Sequence, residues 1–98
     1  MSNKSKFNEV ILKVLPTLEK YVPVVDRVHG DHHPEFHEVR KVFNRMTKKI
    51  KESNNNDIRQ ELEELSHITT DYKIPSDVCE TYEAVYNMLK EIDDAYQS

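Results

Sequence analysis

Residues 27–46, RVHGDHHPEFHEVRKVFNRM, join two helical stretches through a corner that holds four of the chain's five histidines, His29, His32, His33 and His37. Upstream, Phe7, Val10, Ile11, Val14, Leu15 and Leu18 recur at spacings of three and four. Tyr21, Val22, Val25 and Val28 continue that stripe, the pattern of an amphipathic helix. Downstream, Phe36, Val39, Val42, Phe43, Met46 and Ile50 begin a second stripe. Gly30 is the expected C-terminal stop of the first helix, and Asp31 to Pro34 the expected start of the second. Pro16 and Pro23 each remove a backbone donor, which predicts a kink near Pro16 or a short break at Pro23.

The same reading extends to the rest of the chain. ESNNND ends the second helix, because Ser, Asn and Asp side chains compete for backbone hydrogen bonds. Asp57-x-x-Gln60 has the form of a capping box for a third helix carrying Ile58, Leu62, Leu65 and Ile68. After YKIPSD, Ser76 is the expected cap of a fourth, with Val78, Cys79, Tyr82, Val85, Tyr86, Leu89, Ile92 and Tyr96 on its stripe. The expected helices are 5–29, 32–53, 57–71 and 76–96, within one domain over 1–98. Short connections predict an all-α, antiparallel up-down-up-down four-helix bundle.

Composition narrows the function classes. The 98 residues are 33% charged and 37% hydrophobic, with one Gly and no Trp, so few sites for tight β-turns exist. The net charge of −4 comes from interleaved acids and bases and offers no broad basic face to nucleic acid. Lys48-Lys49-x-Lys51 reads as the solvated end of a helix. No run approaches the ~20 apolar residues of a membrane span, and MSNKSKF lacks an apolar signal core, so the expected compartment is the cytoplasm. The single cysteine, Cys79, excludes an intramolecular disulfide and reads as a core residue.

YVPVVDRVHGDHHPEFHEVRKVF is similar to the first interhelical turn of the hemerythrin-like domain in bacterial iron–sulfur-cluster repair di-iron proteins. LEELSHITTDYKIPSDVCETYEAVYNMLKEIDD resembles the third and fourth helices of that domain. The resemblance implies a hemerythrin-like bundle and, ordinarily, a di-iron centre built from imidazoles and carboxylates at one end of it. The sequence departs from the family at each ligand position. Asn8 stands where the first helix would carry a ligand, the second helix stops near Ser53, the third-helix position falls near Asn55, and EIDDAYQS stops short of a His-x-x-x-Glu. No cofactor is therefore expected.

Among the remaining histidines, His29, His33 and His37 are the candidate metal ligands, against a plainer reading in which His29 bonds carbonyls or a carboxylate at a helix end. His37 projects away from the apolar stripe, and His67 of Glu64-x-x-His67 points away from Ile58, Leu62 and Leu65. No Gly-rich phosphate loop and no nucleophile with a base is found, so no enzyme is expected. Three readings stand. The first is a non-catalytic, degenerate hemerythrin-like bundle that binds another protein, either a second copy or a full-length repair protein. Phe7, Ile50, Ile58 and Tyr96 are its expected interaction surface. The second is a metal-binding protein in iron–sulfur-cluster repair or iron handling, using the His29–His37 cluster. The third is a fragment of a full-length di-iron repair protein.

Overall fold

The computed structural model describes residues 2–52 and 57–97 and is helical throughout its regular elements: α1 (Ser2–His29), α2 (Glu35–Glu52), α3 (Arg59–Ile68) and α4 (Glu80–Gln97). The apolar stripes explain all four. Phe36, Val39, Val42, Phe43 and Met46 are buried on α2, Leu62 and Leu65 on α3, and Tyr82, Val85, Tyr86, Leu89 and Ile92 on α4. At ~1.5 Å per residue, the 28 residues of α1 reach about 42 Å. That matches the 41 Å long axis of the molecule. α1 packs most extensively against α4 and also touches α2, which packs on α3. The radius of gyration of 12.8 Å is near the ~13 Å of a folded chain of this length.

Several boundaries differ from expectation. α1 runs unbroken through Pro16 and Pro23. The carbonyls that lose a partner belong to Leu12, which is exposed, and Glu19, which is half-buried, so water can take over the lost bonds. Gly30 does not occupy the left-handed region. It is needed for space, since a Cβ there would meet the Asp26 carbonyl oxygen and lie 2.6 Å from the His37 ring. α2 begins at Glu35, after Pro34, and not at the expected residue 32. Glu35 and Glu38 complement its positive end. Residue 53, the expected end of α2, lies outside the described residues. Ile58, one residue after Asp57, occupies the N-cap position of α3 and offers no side-chain bond to the helix.

α3 stops at Ile68, three residues before the expected end. Thr70, Asp71 and Tyr72 take φ of 54°, 60° and 62°, a left-handed run with no glycine in it. Hydrogen bonds from Asp71 N–H to the Ser66 carbonyl (2.7 Å) and from Thr70 N–H to the His67 carbonyl (3.2 Å) form a Schellman cap with Thr70 at its left-handed position. Thr69 reinforces it. Its hydroxyl donates to the Leu65 carbonyl at 2.8 Å and accepts the Tyr72 N–H at 2.8 Å. Tyr72 is buried, and its hydroxyl donates to Asp93 of α4 at 2.7 Å. Burial and this bond push the Tyr72 hydroxyl well above the ordinary tyrosine range. The chain is thus turned by a tertiary anchor.

One charge lies inside the core. Glu61 of α3 is 1% exposed. Arg45 Nε donates to it at 3.1 Å, and Lys49 Nζ lies 2.9 Å from its Oε2. Arg45 also pairs with Glu64. Burial alone would raise the Glu61 carboxyl, but bonds from Lys49, its own backbone amide and Arg45 outweigh burial and hold it below the ordinary range. Lys51 pairs with Glu19 at 2.5 Å, so two of the three lysines in the basic run are ion-paired and not simply solvated.

Candidate functional site

The corner between α1 and α2 meets the loop that leads into α4 through contacts of His29 and His33. His29 ends α1, and its carbonyl accepts the N–H groups of His32 (3.1 Å) and His33 (2.8 Å), which closes the turn. The next bonds, Phe36 N–H to the His33 carbonyl and His37 N–H to the Pro34 carbonyl, start α2. His29 and His33 both come to face Tyr82, whereas His37 turns to Asp26 and His32 is exposed.

Tyr82, on the first turn of α4, is the hub beneath the corner. The His29 ring meets it edge-on with centroids 5.2 Å apart, and the His33 ring does so at 5.4 Å. Phe36 lies 5.2 Å away and Tyr86 4.9 Å away, and Phe36 and Tyr86 stack nearly parallel. The Tyr82 and Tyr86 hydroxyls are 3.1 Å apart and bonded to each other within the core. Burial pushes both phenols upward, Tyr82 well beyond the ordinary range. These are neutral groups that shape the floor of the corner.

His29 Nε2 lies 3.2 Å from Cys79 Sγ. Cys79 is exposed, which corrects its expected place in the core. α4 begins only at Glu80, so residue 79 precedes the helix and the apolar periodicity does not apply to it. Its carbonyl instead accepts the Glu83 N–H and opens the helix. The Ser76 cap is likewise not formed, because the helix starts four residues later.

His33 is only 14% exposed and meets a carboxylate at each ring nitrogen. Nδ1 lies 3.2 Å from Glu35 Oε2, and Nε2 lies 3.1 Å from Asp77 Oδ1. His37 turns elsewhere, to Asp26 at 2.5 Å, and the other oxygen of Asp26 accepts from Arg40 at 3.0 Å. His29, His33 and His37 therefore do not converge. Among the described residues, no three His, Cys, Asp or Glu side chains are grouped to hold a metal ion. His67 is exposed.

At the expected di-iron positions the residues do not fit the group. Asn8 is exposed, and positions 53 and 55 lie outside the described residues. The neighbouring core is apolar: Phe7 meets Tyr96 edge-on at 5.5 Å, and Ile58 and Ile92 are fully buried. This also corrects the expected interaction surface. Phe7 and Ile58 lie inside the core, and Ile50 and Tyr96 are half-buried against it. Sequence reading missed the Glu61 cluster and the Asp77 contact. An acid on the inner face of an otherwise apolar stripe, with Arg and Lys on the preceding helix, was the available signal for the first.

No family model, curated protein or solved structure matches the chain. No helix among the described residues is long and apolar enough to cross a membrane.

Proposed function

We propose that the chain is a non-catalytic, hemerythrin-like bundle of up-down-up-down topology, related to iron–sulfur-cluster repair di-iron proteins but without their metal centre. It works in the cytoplasm by contact with another protein, a second copy of itself or a full-length repair protein. The observation that carries this reading is the apolar packing of Phe7, Ile58, Ile92 and Tyr96 beside the positions where the resemblance calls for ligands. A redox metal needs several imidazole and carboxylate donors converging on one point, and this core supplies aromatic and aliphatic carbon there. Exposed apolar side chains on α1, Leu12 at 78% and Val28 at 60%, are the available contact points, in place of the buried Phe7 and Ile58.

The test has two arms. Untagged protein is incubated anaerobically with ferrous iron, desalted, exposed to air and assayed for iron and for oxo-bridge absorption. No retained iron is expected, and two irons per chain would overturn the metal-free reading. Sedimentation over a range of concentrations, alone and mixed with a full-length di-iron repair protein, tests the contact. Association in either sample is expected, and a strict monomer in both would overturn it.

A further inference from the structure

A single imidazole joins two segments that are otherwise far apart in sequence. His33 sits in the turn before α2, Glu35 starts α2, and Asp77 belongs to the loop between α3 and α4. Ionised carboxylates accept hydrogen bonds and cannot donate them. Only the imidazolium, with a proton on each nitrogen, bonds both Glu35 and Asp77. The neutral ring bonds one and sets a lone pair against the other. The contact therefore has two states that differ by one proton, and histidine is the side chain whose ordinary titration falls near neutral pH.

Both segments contribute to a cleft of about 440 Å³, which Glu35 lines together with Lys73 and Pro75 of the loop, Ile68, Thr69 and Thr70 at the end of α3, and Tyr86. We propose that His33 is a proton-operated latch that fastens the loop before α4 to the start of α2 and so sets the opening of this cleft. Protonated, the latch is closed. Loss of the proton leaves the ring able to donate to only one of the two carboxylates; the more exposed Asp77 is the one given up, and the loop gains freedom.

The groups that face His33 from each side fix the sign. Glu35 on α2 and Asp77 on the loop are both acidic and favour the closed state. Tyr82 on α4 presents a neutral ring. His29 on α1, with its ring centroid 6.5 Å away, is a neighbour whose own protonation would oppose it, as is the adjacent His32, and the His29 Nε2 is turned to Cys79.

Amide hydrogen exchange of residues 73–79, corrected for intrinsic base catalysis, reads the latch directly. Between about pH 5.5 and about pH 8, protection in the wild type is expected to fall about tenfold, the scale of a charge-assisted hydrogen bond. Asp77→Ala removes an exposed side chain and leaves the core intact. It is expected to show the low protection at both pH values. His29→Gln is expected to keep the wild-type response. A wild type with no pH response, an Asp77→Ala variant with the full response, or a response that disappears with His29→Gln would each overturn the latch.

Discussion

Replacing Arg45 and Lys49 together by methionine removes both cations that contact Glu61 and leaves its carboxylate inside the core. Glu61 is 1% exposed, whereas the Arg45 and Lys49 side chains are 43% and 36% exposed. The burden of burial therefore falls on the acid alone. A buried charge stripped of its partners typically costs about 3–5 kcal/mol. Removing the acid by Glu61→Met is the reverse case: both cations can turn to water, and Arg45 keeps Glu64. The loss is then that of half-exposed ion pairs, about 0–1 kcal/mol, against which the methionine gains apolar burial. For a domain of this size each kcal/mol moves the midpoint by ~4–8 °C, so the double variant should melt at least about 12 °C lower. Glu61→Met should stay within roughly 8 °C of the wild type.

The pH dependence separates the same two states. In the wild type the Glu61 carboxyl is held below its ordinary 4.5, so the stability it contributes is present above that value and is lost as pH falls through the lower folded value. In the double variant burial, the largest influence, is opposed only by the bond from the backbone amide, so the group is raised. Its contribution is then retained in acid and lost as pH rises. Urea denaturation between pH 3 and pH 7, each variant compared with wild type, measures both effects. If Glu61→Met costs as much as the double variant, or if the slope with pH keeps its sign, the assignment of the penalty to the buried acid is wrong.

Two further outcomes follow from local geometry. Thr70→Gly should be neutral to stabilising, by up to about 1 kcal/mol, since Thr70 holds φ 54° at the position of a Schellman cap where glycine meets no Cβ penalty. A clear loss in thermal denaturation would refute that. Tyr82→Phe or Tyr86→Phe alone should cost about 1–3 kcal/mol by orphaning the remaining buried hydroxyl, while the double Phe variant should recover most of it. Additive losses in a double-mutant cycle would count against the pair.

Helix existence was legible because burial repeats at 3.6 residues. Phe36, Val39, Val42, Phe43 and Met46 were assigned to one face from spacing, and all five are buried. What stayed hidden was set by contacts distant in sequence. Nothing local announces that Thr70 to Tyr72 turn left-handed, since the only glycine lies elsewhere and the turn is held by Tyr72 reaching Asp93. Cys79 was misplaced by extending a helical period across residues that are not helical. His33 was visible as a histidine but not as a bridge, because Asp77 lies 44 positions away. Pro16 and Pro23 do not break α1, because a lost donor interrupts a helix only where the abandoned carbonyl has nothing else to bond.

The principal neighbour of α1 is α4, so on a ribosome α1 emerges well before its main partner. Until α4 follows, α2 is the chief cover for the apolar stripe of α1 among the described residues. A nascent chain of this order keeps a greasy flank open while α2 and α3 are made, and docking of α4 closes that flank.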